Sequence, residues 1–290
     1  RKYLMEQKKF RPGYLFAAIG AAVSCFALQL ILGIAYLLVV AIITMTQYQI
    51  GHPGAGQEEL MQVYYDAIQG NGAGSVLIYH VFSLPLFGLW YYLGCGRRKL
   101  SQSARNMTGK AVAIAVLGGF LLCLFANGIV GVEAYVIPSV VEAYADMMEN
   151  AGMGVDALAI FASVVLAPVG EEFLCRGIML YYGKKAFPRF WCANLLQAFL
   201  FGCIHGNLIQ GGYAFVIGLM LGYLAERYHS LIPCIILHFV VNFTSTFLID
   251  KVLSPLPDVF LSYLLLAVIP AVLLVLLVKW GGRVRSGESS

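Results

Sequence analysis

The sequence predicts an all-α, polytopic integral membrane protein with about eight transmembrane helices, and three observations lead to this prediction. Of the 290 residues, 60% are hydrophobic and only 12% are charged, whereas a soluble domain carries about 25% charged residues. The apolar residues fall into long runs, most of them close to the roughly 20 residues that a membrane-spanning helix needs. Lysine and arginine are concentrated in alternate connections between these runs. A single water-soluble core cannot bury this much apolar surface, so lipid is the expected solvent.

The apolar runs give the elements in chain order. The first run is longer than one crossing requires. It also exceeds the roughly 7–15 apolar residues of a signal peptide, so it is predicted to be a retained helix. Most of the other runs have the length of a single crossing. The eight candidate spans are 14–47, 75–96, 111–130, 156–182, 188–206, 208–225, 230–249 and 258–278.

The distribution of basic residues predicts the orientation. Cytoplasmic connections of membrane proteins carry an excess of lysine and arginine. With the amino terminus inside, Lys251 alone falls outside and Arg176 alone falls within a span. An even number of spans then places both termini in the cytoplasm. The residues placed inside are Arg1, Lys2, Lys8, Lys9, Arg11, Arg97, Arg98, Lys99, Arg105, Lys110, Lys184, Lys185, Arg189, Arg227, Lys279, Arg283 and Arg285.

Two outer connections are acidic and contain no lysine or arginine. In the first, apolar residues recur at helical spacing between Leu60 and Ile68. In the second, Ser139 and Glu142 have the spacing of a capping box, and an apolar stripe follows as far as Met148. Both connections are predicted to form short amphipathic helices in the membrane interface. Anchoring is the favoured role, and gating of a substrate is the alternative.

Three charged residues remain inside an apolar run: Glu171, Glu172 and Arg176. An ionisable group at bilayer depth is costly and indicates function by default. Glu172 and Arg176 are four residues apart with the acid first, which favours an ion pair within one helix. Glu171 points about 100° away and has no local cation, so it is the candidate general base. A purely structural buried triad is the alternative.

Two histidines lie within the later spans. His205 ends the segment that begins at Phe201, and His238 is four residues before Asn242, on the same helix face. A lone membrane histidine is more often a hydrogen-bonded core residue, but two of them with an asparagine and a carboxylate pair indicate a site. Of the other histidines, His52 and His229 are predicted to be solvated. His80 is predicted to be structural or interfacial.

The depth of these residues can be compared at about 1.5 Å per helical residue. Glu171 lies roughly 16 Å and His238 roughly 14 Å from the predicted cytoplasmic ends of their helices. His205 lies roughly 24 Å from Arg189, which is deeper than the other two. A tilted helix or a short re-entrant stretch is therefore needed to bring His205 to the same level.

These motifs together resemble those of a known family. The stretch from Glu171 to Arg176 is similar to an EExxxR motif, Phe201 to His205 to FxxxH, and His238 to Asn242 to HxxxN. All three occur in this order in the CPBP family. Its members are CaaX-type prenyl endopeptidases and bacteriocin-processing or self-immunity enzymes. The resemblance covers residues 168–242.

The resemblance implies an eight-helix fold that encloses a polar catalytic cavity, and it implies roles for four residues. Glu171 with His205 would activate water for attack on a peptide carbonyl. His238 and Asn242 would donate hydrogen bonds to the oxyanion that develops.

Further implications concern scaffolding and organisation. Glu172 and Arg176 would hold the first motif in place. The chain is then predicted to form one transmembrane domain over 1–290. Its parts are N-terminal helices with interfacial helices (13–150), a catalytic core (156–249), a final helix (258–278) and a disordered tail (281–290).

Zinc is a possible cofactor under this resemblance, because Glu171, His205 and His238 can form a two-histidine, one-carboxylate site with an open position for water. The H-E-x-x-H pattern is absent, however, and Asn242 fits an oxyanion donor better than a zinc ligand. Metal-free chemistry is the favoured prediction, and a metalloprotease is the alternative.

The predicted function is therefore an intramembrane endopeptidase. Its partners would be the lipid bilayer and a peptide or protein substrate, either a prenylated CaaX protein or a leader or bacteriocin peptide, with no nucleic acid. A prokaryotic cell membrane is the favoured location. A proton-coupled carrier would also place such residues in the membrane, although carriers often contain repeats and this sequence has none. A non-catalytic bacteriocin immunity protein is the other alternative.

Overall fold

The computed structural model describes residues 9–96, 107–152 and 156–282, and every regular element in these ranges is helical. The predicted all-α fold class is confirmed. Past Trp90 the third helix continues as a π-helical turn, Tyr91–Gly96. The helices of these ranges are α1 (Pro12–Gly51), α2 (Gln57–Gln69), α3 (Gly72–Trp90), α4 (Gly109–Val136), α5 (Pro138–Asn150), α6 (Ala157–Ala186), α7 (Phe190–Cys203), α8 (Leu208–Tyr228), α9 (Ile232–Phe247), α10 (Ile249–Leu253) and α11 (Phe260–Gly281).

Within the described ranges, six helices are long and apolar enough to cross a membrane: α1, α3, α4, α6, α8 and α11. The chain is therefore an integral membrane protein. Helices α7 and α9 are apolar but have only 14 and 16 residues. At 1.5 Å per residue they cover roughly 21 and 24 Å, against about 30 Å for the hydrocarbon core of a bilayer. Each of the eight predicted spans thus contains a helix, but a count of eight crossings is not confirmed.

The two amphipathic helices occur where the sequence predicts them, as α2 and α5. They lie at the same end of the bundle, because a Cβ at Gly72 would collide with the carbonyl oxygen of Asn150. The predicted cap of α5 is wrong. The helix begins earlier, with Pro138 in its first turn and no side-chain cap. Proline suits that position because its missing N–H would have no partner there. The interfacial location of both helices stays a prediction.

Helix packing brings the later helices together around α6. Helix α4 packs against α9 and α11, and α7 forms an antiparallel hairpin with α8. The approach of α4 to α11 is backbone to backbone, since a Cβ at Gly128 would collide with the amide nitrogen of Ala267. Small residues permit such close contact between membrane helices. Helix α6 contacts α1, α3, α7 and α9, and together with α8 it is the most buried of the six long apolar helices.

Helix α6 is irregular at two places. It contains π-helical turns at Ala162–Leu166 and Phe173–Met179. A π turn inserts one extra residue and re-aims the side chains that follow it, and such turns are frequent at functional sites. Glu171 and Glu172 lie on the short α-helical stretch between the two turns.

Part of the predicted C-terminal tail is helical, because α11 continues to Gly281. The rest of that tail, from residue 283, lies outside the described residues. So do many of the basic residues on which the predicted orientation depends, and the orientation stays a prediction.

Candidate active site

A buried chain of hydrogen bonds links three residues of the first and third motifs. The guanidinium of Arg176 donates from Nη1 to Oε1 of Glu172 at 2.9 Å, and Nδ1 of His238 lies 2.9 Å from the same oxygen. The side chains of Arg176 and Glu172 are both fully buried. Removing one partner of such a pair costs about 3–5 kcal/mol, because the other charge is left uncompensated. The predicted ion pair is present, and Glu172 has a second contact that the sequence analysis did not predict.

Glu171 lies on the other side of the His238 ring. Its Oε2 faces Nε2 of His238 at 3.9 Å, which is longer than a hydrogen bond. This oxygen is buried and has no hydrogen-bond partner among the described residues, although the side chain as a whole is 17% exposed. Oε2 of Glu172 also has no partner, but Oε1 of Glu172 contacts both Arg176 and His238. The His238 ring thus stands between two carboxylates, with Nδ1 bonded to Glu172 and Nε2 directed towards Glu171.

His205 reaches the same region from a turn. Helix α7 ends at Cys203, and the chain reverses through Gly206, which has a φ of 71°. Nδ1 of His205 lies 2.7 Å from the carbonyl oxygen of Phe201, which fixes the ring. Glu171 and His238 both act electrostatically on this ring. His205 thus lies on a short reversal of the chain, and its depth relative to Glu171 and His238 stays a prediction.

The phenyl ring of Phe201 is shared by three residues of the site. The Arg176 guanidinium lies over it at 4.4 Å from the ring centre, a cation–π contact. The rings of His205 and His238 meet it edge-on, with centroids 4.9 and 5.9 Å away. The sequence analysis gave Phe201 no role, although it begins the second motif. Its ring therefore lies in contact with Arg176 and with both histidines.

Asn242 joins α9 to α6. Its Nδ2 donates to the carbonyl oxygen of Ser163 at 2.8 Å. That carbonyl is available because of the first π turn, in which the amide of Ala167 bonds to Ala162, and because the next residue, Pro168, has no N–H. An amide nitrogen carries two hydrogens, so Asn242 can donate one further bond.

A family model describes this part of the chain. Residues 154–244 match the model described as Type II CAAX prenyl endopeptidase Rce1-like. This segment belongs to the CPBP/CAAX protease family. The CAAX protease domain contains all six motif residues discussed above, which are Glu171, Glu172, Arg176, His205, His238 and Asn242. The chain is accordingly a peptidase with intramembrane, CAAX-type endopeptidase activity in the broad sense.

No curated protein and no solved structure matches the chain. The family match covers roughly a third of the 290 residues. Helices α1 to α5, α10 and α11 lie outside the CAAX protease domain, so their contributions can be judged from packing alone.

One of those helices places a further histidine beside the domain. His80 on α3 is 7% exposed, and Glu171 and His238 both act electrostatically on its ring. Helix α3 packs directly on α6, since a Cβ at Gly170 would lie 3.6 Å from the Cα of Leu84, one turn along from His80. The sequence analysis treated His80 as structural or interfacial, and the structure shows that it is buried next to the motif residues. The only sequence signal was its position within an apolar run. His52 and His229, predicted to be solvated, are exposed.

A metal ion needs several ligand side chains that converge on one point. Among the described residues, no group of three or more histidine, cysteine, aspartate or glutamate side chains is arranged to hold one. Glu171, His205 and His238, the ligands of the zinc alternative, are therefore not assembled as a coordination sphere.

Proposed function

We propose that this CAAX-type endopeptidase hydrolyses its peptide bond with a water molecule activated by Glu171. The supporting observation is the Oε2 atom of Glu171, which is buried, unbonded and 3.9 Å from Nε2 of His238. A water oxygen can stand at hydrogen-bonding distance, about 2.8 Å, from both atoms. Glu171 then has no competing protein donor for the lone pair that accepts the water proton.

In the proposed reaction, Glu171 first accepts a proton and later returns it. Glu171 takes one proton from water while the water oxygen bonds to the carbonyl carbon, and the carbonyl electron pair moves to oxygen. The tetrahedral intermediate then re-forms its carbonyl, the C–N bond breaks, and the leaving nitrogen takes the proton held by Glu171. The carboxylate of Glu171 is regenerated, and the products are a carboxylic acid and an amine, between which a proton then passes to give a carboxylate and an ammonium group.

His238 and Asn242 are the proposed donors to the oxyanion. Asn242 has an amide hydrogen beyond the one given to Ser163. Donation from Nε2 of His238 requires both ring nitrogens to carry protons, since Nδ1 donates to Glu172. Each donor of this kind is worth about 10²–10³-fold in kcat.

His205 is proposed to assist Glu171. Its Nδ1–H donates to the Phe201 carbonyl, so Nε2 is the lone-pair atom of the neutral ring. That atom can accept a hydrogen bond from the attacking water and orient it. In this role His205 is fixed by its own helix and needs no other protein partner.

The proposed substrates are those of the two branches that the motifs resemble. One is a prenylated CaaX protein, as the description of the matching family model states. The other is a leader or bacteriocin peptide. We further propose a prokaryotic cell membrane as the location. Both chain termini are proposed to be cytoplasmic, which is supported by basic residues such as Lys184, Lys185 and Arg227 at the end of the bundle opposite α2 and α5.

The test is hydrolysis of a quenched-fluorescent, C-terminally farnesylated CaaX peptide by the purified protein in detergent. Wild type is compared with Glu171→Gln, which keeps the shape of the side chain, and with Glu58→Gln, an exposed acid on α2, as the matched control. We expect wild type and Glu58→Gln to cleave the peptide and Glu171→Gln to lose activity.

Equal cleavage by Glu171→Gln would overturn the assignment of the base. An unprenylated leader peptide in the same assay separates the two substrate classes. Tight binding of either peptide without cleavage by wild type would instead favour a non-catalytic immunity protein.

A further inference from the structure

Two buried amide side chains on α7 lie outside the three motifs. Gln197 donates from Nε2 to Oδ1 of Asn194 at 2.7 Å and to the carbonyl oxygen of Gly218 at 2.8 Å. Asn194 donates in turn to the carbonyl oxygen of Leu219 at 3.0 Å. Both side chains are completely buried. An amide in an apolar environment is costly unless it is hydrogen-bonded, so this pair fastens α7 to the backbone of α8.

The amide pair and the Arg176–Glu172 ion pair share one hydrogen-bond acceptor, the carbonyl oxygen of Gly218. Nη2 of Arg176 also lies within hydrogen-bond distance of the Gly218 carbonyl oxygen, at 3.4 Å. A carbonyl oxygen has two lone pairs and can accept from both side chains. Arg176 holds Glu172, and Glu172 holds Nδ1 of His238. A continuous series of hydrogen bonds thus runs from Gln197 to the histidine that faces Glu171.

Gln197 also shares a helix face with the second motif. Gln197, Phe201 and His205 are spaced by four residues, so they lie along one side of α7 and its terminal turn. Phe201 touches both Arg176 and His205. Any sliding of α7 along α8 would therefore move Phe201 and His205 relative to Arg176. The bond from Gln197 to Gly218 opposes such sliding.

We propose that Gln197, supported by Asn194, is a positioning residue that sets the register of α7 and thereby the placement of His205 and Arg176 for hydrolysis. This proposal rests on the proposed function of those residues. A displacement of about 1 Å at a reacting group can cost 10²-fold in rate. We call the hydrogen bonds of Gln197 and Asn194 to the backbone of α8 the clamp. Its loss should therefore lower kcat while leaving the binding of substrate nearly intact.

The structure offers two independent ways to disturb the clamp. Gln197→Met keeps the length of the side chain and removes its amide. Gly222→Ala keeps both amides and displaces them, because a Cβ at Gly222 would collide with Oδ1 of Asn194 and lie 2.7 Å from Nε2 of Gln197. Gly212→Ala is the matched control on the same helix, since a Cβ there meets nothing within 4 Å.

The first measurement is kcat and KM, normalised to folded protein, for wild type and these three variants. We expect Gln197→Met and Gly222→Ala to lower kcat by about 10-fold or more with KM changed by less than about twofold, and Gly212→Ala to match wild type. A normal kcat in folded Gln197→Met overturns the proposal. Failure of both disturbing variants to fold, beside a folded control, also overturns it and assigns the amides to stability.

A second measurement does not depend on activity. The ¹⁵N chemical shifts of the His205 and His238 imidazoles, recorded on the labelled full-length protein in detergent, report their hydrogen bonds. We expect them to move in Gln197→Met and Gly222→Ala and to stay in Gly212→Ala. If wild type cleaves and the shifts do not move, the proposed function stands and the clamp is rejected. If wild type does not cleave, the proposed function fails and the shifts alone decide the clamp.

Discussion

Nδ1 of His238 and Oε1 of Glu172 lie 2.9 Å apart, so the third motif is bonded to the second glutamate of the first motif and not to the first glutamate. The two adjacent acids therefore do different things. Glu172 completes a buried network, whereas Glu171 presents an unbonded oxygen to the opposite ring nitrogen. Their variants should separate stability from activity.

Substitution of the two acids should affect the stability of the fold differently. Glu172→Gln removes the charge opposite Arg176 and should lower the free energy of unfolding by about 3–5 kcal/mol, with loss of activity. Glu171→Gln should abolish activity while the thermal midpoint stays near that of wild type, because its Oε2 has no partner to lose. Thermal unfolding in detergent, paired with the peptide assay, checks both. Equal destabilisation by the two variants would contradict the division of roles.

Asn242→Leu should reduce kcat by about 10²–10³-fold, since it removes an oxyanion donor as well as the bond to α6. Ser163→Ala is the control. It deletes a hydroxyl but leaves the backbone carbonyl that Asn242 contacts, so activity should remain. If Asn242→Leu retains a normal kcat, Asn242 has no part in stabilising the oxyanion.

His80→Gln should lower kcat by about tenfold, although His80 lies outside the matched segment. The ring is buried on α3, one turn from the contact between Leu84 and Gly170, the residue before Glu171, and a change of about 1.4 kcal/mol at the transition state is tenfold in rate. His52→Gln, on an exposed histidine, should leave kcat unchanged. Identical rates for both variants would return His80 to a packing role.

Treatment with a strong zinc chelator should leave the rate of peptide cleavage unchanged, because the described side chains form no three-ligand group. The assay compares chelated protein, untreated protein and chelated protein with zinc restored. Loss of activity that zinc reverses would instead support Glu171, His205 and His238 as ligands that assemble around the ion.

Much of the site follows from spacing along helices. The interval of four residues between Glu172 and Arg176 is enough to predict their ion pair, since neighbours on one helix are set by backbone geometry. The same interval of four residues is enough to predict that His238 and Asn242 share one face of their helix. The long apolar runs likewise predict the membrane helices, because the length of a crossing is fixed by the bilayer.

Contacts between helices were beyond such reasoning. The bond from Asn242 to Ser163 depends on a π turn, in which the amide of Ala167 bonds to Ala162, and on Pro168, which has no N–H. The position of His205 depends on where α7 ends. His80 comes close to Glu171 only through the packing of α3 on α6. Tertiary packing decides each of these, and no local pattern encodes it.

The short length of α7 has a consequence for the lipid around it. Its outward side carries Trp191, Leu195 and Phe199, which are 54%, 49% and 61% exposed. Lipid is therefore their expected neighbour. A helix of 14 residues falls several ångströms short of an unperturbed bilayer. Such hydrophobic mismatch is relieved by local thinning of the membrane. We therefore expect faster cleavage in vesicles of short-chain than of long-chain lipids, because thinning brings bulk water nearer to His205 and the scissile bond.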